Sequence, residues 1–155
     1  MDEEAIIRGL AAALPEAFEG RDLVEEYADW GEPEHDWLAY IAVPDARTWI
    51  ERNALDLDRP ARVARVRPGG EDALRRFFDY FEPLASDPDR DVQNLLMIEL
   101  FEDIPWVQDV IDYVGPDTRA LLARAQEQLA WCSSAIGRWP EPPAPKRKGA
   151  RHPKL

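Results

Sequence analysis

Three acidic side chains near residue 90 have the spacing of a cation site. The sequence Asp87-x-Asp89-x-Asp91 imitates the opening of a calcium-binding loop. Such a loop needs glycine at its sixth position and a bidentate glutamate at its twelfth. Those positions hold Val92 and Ile98, so the calcium interpretation fails. We expect these acids to begin a helix instead, where the positive end of the helix dipole favours them.

The histidines and the cysteine do not form a catalytic or zinc-binding pattern. His35 lies within a run of acids, His152 lies near the C-terminus, and Cys132 is the single cysteine. Zinc sites combine several histidine and cysteine ligands, and a catalytic cysteine needs a nearby base. The sequence therefore predicts no metal, no cofactor and no enzyme activity.

Glu99 interrupts the most apolar stretch of the chain. On a helical wheel of about 100° per residue it falls beside Glu102 and Asp103, on the polar side. We therefore expect it to be exposed or half-exposed. Gln93 and Asn94 fall on the apolar arc and are expected to satisfy the backbone of a neighbouring loop. The wheel predicts that the buried arc contains Met97, Ile98, Leu100 and Phe101.

Charge is distributed unevenly along the 155 residues. The chain carries a net charge of −12, yet residues 141–155 contain five Lys or Arg and one acid, a charge of +4. Residues 1–140 therefore carry −16. A body of that charge repels phosphate, so we expect no nucleic-acid binding by the folded part. It is expected to attract a basic protein partner.

The chain has the features of a cytoplasmic protein. Its N-terminus begins with acids and lacks the basic start and long apolar run of a secretory signal. No window reaches the roughly 18 apolar residues of a membrane span. One cysteine permits no intramolecular disulfide, which fits a reducing compartment.

The N-terminal half predicts short helices and loops. Asp2 precedes an apolar pattern of helical spacing that ends at Pro15, and a second helix is predicted over 16–30. Pro44 predicts a break between two short helices within 37–53. A strand over 36–43 is the open alternative, because the segment is rich in strand-forming residues. Residues 55–70 are predicted to be a loop that carries the basic patch Arg62, Arg65 and Arg67.

The C-terminal half predicts longer helices. An apolar stripe over 74–85, which includes Phe78, predicts one helix. Asp87 is expected to cap the next, a central helix over 92–104 that buries Leu96. A short helix over 105–114 follows, and Pro116 is expected to open the last one.

These patterns predict an all-α fold, a compact multi-helix bundle with HEAT-like pairing of the helices around Asp87. Residues 1–138 are expected to form one acidic helical domain. Residues 139–155 form a basic, proline-rich tail that is expected to be disordered, because it has almost nothing to bury.

The stretch 74–129 resembles an uncharacterised family of small, acidic, helical bacterial proteins that are commonly grouped with toxin-immunity proteins. The resemblance implies an antidote that neutralises a secreted toxin. The segment 37–51 resembles the upstream part of that family more weakly. The positions that carry the main resemblance are Phe78, Phe81, Glu82, Asp91, Val92, Asn94, Leu95, Leu96, Glu99, Gly115 and Pro116.

The sequence therefore favours a non-catalytic protein-binding domain, an antidote that covers a basic toxin. The alternative is a helical adaptor or scaffold that docks partners through its basic tail. Tryptophan is enriched among interface hot spots, and acids accelerate association with a basic partner. The predicted partner-binding residues are Asp29, Trp30, Glu32, Glu34, Asp36, Trp37 and Trp106. Oligomeric state does not follow from these patterns.

Overall fold

The computed structural model describes residues 2–23, 25, 38–102 and 106–128. Helix dominates this part of the chain, which confirms the mostly helical prediction, and one small antiparallel sheet accompanies it. The elements are α1 (Glu3–Ala13), a 3-10 turn (Pro15–Ala17), α2 (Leu38–Asn53), β1 (Leu55–Asp58), β2 (Val63–Val66), α3 (Glu71–Ala85), α4 (Arg90–Leu95), a π-helical segment (Leu96–Glu102), a 3-10 helix (Val107–Tyr113) and α5 (Pro116–Gln128). No described helix is long and apolar enough to cross a membrane.

Helix α1 begins and ends where the sequence indicates. The side chain of Asp2 accepts a hydrogen bond from the backbone N–H of Ala5 at 3.0 Å, as an N-cap residue does. Ile6, Ile7 and Leu10 are buried on one face. The second helix predicted over 16–30 does not begin at residue 16: the 3-10 turn Pro15–Ala17 follows α1, and within the predicted range the described residues Leu23 and Glu25 are helical.

Helix α2 runs without a break through Pro44, so the predicted split into two helices is wrong. Proline removes one helical hydrogen bond and usually breaks or kinks a helix. Here the surrounding turns are deeply buried, and this packing outweighs the local preference. The residues that α2 buries are Ala39, Ala42, Val43, Ala46 and Ile50. The strand alternative is also wrong over 38–43; residues 36 and 37 lie outside the described residues.

A β-hairpin replaces most of the predicted loop over 55–70. Leu55 pairs with Val66 and Leu57 with Ala64, and these four side chains share the inner face. The backbone N–H of Ala64 donates a hydrogen bond to the carboxylate of Asp109 at 2.8 Å. Asp109 thereby satisfies an N–H group at the edge of the sheet. Strands of only four residues, with charged side chains at three of their four outer positions (Asp56, Asp58 and Arg65), resemble a loop in sequence, so the local pattern does not predict a hairpin.

Helix α3 forms the predicted apolar stripe, and its buried face is part of the core. Phe77 contacts Phe78 and Phe81 edge to face, with ring centroids 5.2 and 5.0 Å apart. All three rings are fully buried. Helix α3 packs against α1, α4 and α5, so these rings join the two halves of the chain.

Acids organise the start of α4, but the cap lies two residues later than predicted. Asp89, rather than Asp87, is the N-cap, and its side chain accepts from the N–H of Asp91 at 2.8 Å. Asp87 accepts from the N–H of Asp89 at 2.8 Å. Gln93 donates to the backbone carbonyl of Asp87 at 2.7 Å, which confirms its predicted role. Asn94 is exposed, contrary to its predicted place on the apolar arc.

The π-helical segment after α4 explains where the helical wheel fails. Leu100 and Phe101 are fully buried, as predicted, whereas Ile98 is 45% exposed and Met97 is only half-buried. Hydrogen bonds between residues i and i+5 widen each turn. A wheel of about 100° per residue therefore loses phase within this segment.

Pro116 opens α5 as predicted, and the short helix before it takes the 3-10 form. Leu121, Leu122 and Ala125 are buried on one face of α5. Cys132 and the basic tail over 139–155 lie outside the described residues.

Candidate functional site

Glu3 joins the start of α1 to the start of α2. One oxygen of its carboxylate, Oε2, accepts a hydrogen bond from the backbone N–H of Ala39 at 3.1 Å. This satisfies one of the N–H groups that a helix leaves without a partner in its first turn. The other oxygen, Oε1, is buried and makes no hydrogen bond to the part of the chain that the structure describes. The contact fixes a carboxylate at the N-terminal end of α2.

Tyr40, one residue further along α2, lies among carboxylates from three elements. Burial of the phenol raises the pKa of Tyr40, and the negative charges of Asp91, Glu99 and Glu3 raise it further. Negative charges disfavour the ionised form of a phenol, so the three carboxylates act on Tyr40 in the same direction as burial does. Glu3, Tyr40 and Glu99 are half-buried and Asp91 is exposed. We call these four residues the acidic end.

Arg47 holds the element that carries Glu99. Its guanidinium donates to the backbone carbonyl of Glu99 at 3.0 Å. Arg47 follows Tyr40 by seven residues, so both side chains lie on the same face of α2. The π-helical segment is thereby fastened to α2, and its carboxylate is held close to Tyr40.

The predicted partner-binding segment 29–37 immediately precedes α2 in the sequence. Six predicted partner-binding residues lie outside the described residues, so their role stays a prediction. Covalent connection alone places Trp37 one residue before α2, whose first turns carry Tyr40. The six residues are Asp29, Trp30, Glu32, Glu34, Asp36 and Trp37.

Trp106 lies in the core rather than on a partner-binding surface. Its side chain is fully buried, and its indole N–H donates to the carboxylate of Glu51 at 2.9 Å. A buried indole with a satisfied N–H is a stable core arrangement. As placed, Trp106 has no surface to offer a partner, and it is withdrawn from the predicted anchors.

The acidic end combines residues that sequence reasoning found with residues that it missed. The sequence singles out Asp91 as part of a calcium-like pattern and Glu99 as an acid within an apolar stretch. Glu3 and Tyr40 did not, because no local pattern connects residues that lie 37 positions apart. The signal that could have identified Glu3 and Tyr40 is the presence of an acidic and an aromatic residue near the predicted starts of two helices.

The described residues contain no group of three or more His, Cys, Asp or Glu side chains placed to hold a metal ion. An open depression of about 370 Å³ lies beside α1, lined in part by Arg8 and Arg21. Both guanidinium groups are engaged, Arg8 by Glu4 and Arg21 by Asp45.

No protein-family model, no curated protein and no solved structure matches this chain. The likeness to toxin-immunity proteins therefore stays a hypothesis, and the function must be argued from the acidic end.

Proposed function

We propose that the protein is a non-catalytic binding protein of the bacterial cytoplasm whose acidic end receives a basic partner, and that this partner is a toxin which the protein neutralises. The observation that supports it is that the N–H of Ala39 holds the Glu3 carboxylate at the first turn of α2, and that the charges of Asp91, Glu99 and Glu3 add to burial in raising the pKa of Tyr40 in the same turn. The acidic segment 29–36 precedes α2 in the sequence. In this proposal the helix pair around Asp87 is a HEAT-like scaffold for that surface.

Electrostatic steering is the physical basis of the proposal. A charge of −16 on residues 1–140 attracts a cationic protein before contact. Complementary charge chiefly raises the association rate, while buried anchors slow dissociation. A half-buried tyrosine among carboxylates fits this division, since the ring offers apolar area and the acids offer charge.

Co-expression with the product of the adjacent gene is the first test. If that product is a toxin which this protein neutralises, cells expressing both survive and cells expressing the neighbour alone do not. A mechanistic test then measures binding rates between the two proteins in rising salt. Charges more than about 8 Å apart are screened at physiological ionic strength, so the association rate should fall as salt rises.

Charge reversals distinguish the acidic end from the general charge of the body. Asp91→Lys should slow association several-fold more than Asp112→Lys, because Asp91 belongs to the acidic end. Asp112→Lys is the matched control, since both acids are exposed and the change in charge is the same. Reversing Glu32, Glu34 and Asp36 to lysine together should also slow association, whereas Trp30→Ala should chiefly speed dissociation. A salt-independent association rate, or no binding to any basic partner, would defeat the antidote proposal and favour an adaptor that binds through its tail.

A further inference from the structure

The buried residues of α4 and of the π-helical segment that follows it have different spacings. Val92, Leu95 and Leu96 are buried at the three- and four-residue spacing of an α-helix. The next buried residues, Leu100 and Phe101, follow the last two by five positions each, which matches hydrogen bonds between residues i and i+5. The chain therefore contains one residue more than an α-helix would need between these two buried stripes.

A regular α-helix through this segment would bury the wrong side chains. On a wheel that continues α4 at about 100° per residue, Glu99 lies within about 40° of both Val92 and Leu95, on the buried face. Phe101 lies about 180° from Val92, on the solvent side. In the structure Glu99 is only half-buried and Phe101 is fully buried. The extra residue thus resolves the conflict between a buried carboxylate and an exposed aromatic ring.

The same conflict would be resolved by a chain that is one residue shorter. Removing any one residue from 97–99 places Leu100 and Phe101 four positions after the last two buried residues of the first stripe, which is the spacing of a continuous α-helix. An irregular turn that a regular helix could replace is expected at a functional site, and π-bulges are frequently found there. The extra residue is therefore explained by what it presents to solvent.

The π-helical segment presents an apolar side chain to solvent. Ile98 is 45% exposed, and no other large hydrophobic residue in the described part of the chain is exposed. Met97, beside it, is only half-buried. Single exposed hydrophobic residues are common on protein surfaces, so exposure alone indicates nothing. Here the exposed side chain belongs to the irregular turn itself.

We propose that the extra residue serves binding and that Ile98 is an apolar anchor for the basic partner; this rests on the proposed function. Glu99, the next residue in the chain, belongs to the acidic end, so the anchor continues the surface that receives this partner. A second copy of the protein is the less favoured occupant, because two chains of charge −12 repel each other. The partner is expected to carry an apolar pocket for one branched aliphatic side chain beside its basic groups.

An apolar anchor and a rim of charge affect binding differently. Complementary charge chiefly raises the association rate and is screened by salt, whereas a buried anchor slows dissociation. Removing apolar area at Ile98 should therefore speed dissociation by a factor that is the same at low and at high salt. Asp91→Lys should instead slow association, by a factor that shrinks as salt rises.

Deletion of Ile98 tests whether the fold needs the extra residue. The shortened chain should keep a urea midpoint at or above that of the wild type, because both buried stripes remain aligned in a continuous α-helix. Deletion of Asp79, an exposed residue of α3, is the matched control. It rotates Phe81 by about 100° relative to Phe77 and should abolish the cooperative transition. A midpoint that falls as far without Ile98 as without Asp79 would show that the extra residue is structural and would overturn the proposal.

Binding kinetics with the product of the adjacent gene test the anchor. Ile98→Ala should speed dissociation about tenfold, the effect of losing one interface hot spot, and deletion of Ile98 should speed it at least as much. Gln126→Ala, at an exposed position of α5, is the control and should leave the dissociation rate unchanged.

Binding by the wild type separates failure of the anchor from failure of the proposed function. If the wild type does not bind the neighbouring product, the proposed function fails and the anchor fails with it. If the wild type binds and both Ile98 variants dissociate at its rate, the proposed function stands and the anchor is overturned. Self-association of the wild type that Ile98→Ala abolishes would overturn the proposal in favour of a second copy.

Discussion

Glu82 of α3 occupies the space that a side chain at Gly115 would need: a Cβ atom at residue 115 would overlap the Glu82 carboxylate. The carboxylate accepts hydrogen bonds from the N–H of Asp117 at 2.7 Å, and from the N–H and hydroxyl of Thr118 at 3.1 and 2.7 Å. It thus caps α5 from another helix and lies at the positive end of its dipole. Glu82, Gly115 and Pro116, three of the positions at which the sequence resembles the immunity-protein family, therefore have a structural role at the start of α5.

Replacing Gly115 by alanine should destabilise the protein by about 0.5–2 kcal/mol, because the Glu82 carboxylate must move away and lose its capping hydrogen bonds to α5. The measurement is the free energy of unfolding in urea. In a Glu82→Ala background the overlapping carboxylate is absent, so the same replacement should have a much smaller effect. Equal losses in both backgrounds would show that the two residues do not compete for space.

Stability should fall in acid because of Glu82. Burial alone would raise the pKa of this carboxyl, but hydrogen bonds from Thr118 and from the N–H of Asp117 outweigh it and lower the pKa below its ordinary value. A group with a lowered pKa in the folded state stabilises it above the unfolded pKa. That contribution is lost as pH falls through the folded pKa. Urea unfolding between pH 7 and pH 3 should show a smaller decline for Glu82→Gln than for the wild type; parallel curves would contradict this.

The core can be tested with a matched exposed position. Phe78 and Leu96 are fully buried, so Phe78→Ala should destabilise by about 3–5 kcal/mol and Leu96→Ala by about 2–5 kcal/mol. Ile98→Ala, in the π-helical segment, should change stability by less than about 0.5 kcal/mol, because Ile98 is 45% exposed. A large loss of stability in Ile98→Ala would show that Ile98 is buried, as the helical wheel predicts.

Helix positions could be predicted from sequence wherever one pattern dominated. The stripe through Phe77 and Phe81, the N-cap Asp2 and the opening Pro116 each gave the correct element, because capping and apolar spacing act within a few residues. Pro44 misled because its local effect is opposed by packing from other elements. The phase of the π-helical segment has no local signal at all.

The acidic end shows the corresponding limit for a site. Single residues such as Glu99 could be identified as unusual, but their meeting with Glu3 and Tyr40 depends on how α1 and α2 pack. Trp106 was misplaced for a similar reason. Tryptophan serves interfaces and cores alike, and only the contact with Glu51 distinguishes them here.

Arg62 should be a position where a substitution stabilises the protein. Its left-handed backbone strains most side chains, whereas asparagine tolerates that region. Arg62→Asn should therefore raise the free energy of unfolding by up to about 1 kcal/mol. The matched control is Arg65→Asn, which removes the same charge from a strand and should have no stabilising effect, since asparagine is depleted in strands. Equal effects at both positions would attribute any gain to charge alone.

Tyr80 should govern how the protein responds to alkali. Its hydroxyl donates to the backbone carbonyl of Ile6 at 2.6 Å, and its ring packs so closely on Gly9 that a Cβ atom there would lie 2.7 Å from it. Burial raises the pKa of this phenol well above its ordinary value near 10.

An acid whose pKa is raised on folding ionises first in the unfolded chain, so its stabilising contribution is complete below pH 10 and is lost as pH rises above it. Tyr80→Phe removes both the hydrogen bond and the ionisable group. At pH 7 the variant should be less stable by about 0.5–1.5 kcal/mol, the net value of a typical hydrogen bond. Between pH 9 and pH 12 its urea midpoint should decline less steeply than that of the wild type, so that the two curves converge. Curves that stay parallel through this range would show that Tyr80 does not link alkaline ionisation to unfolding.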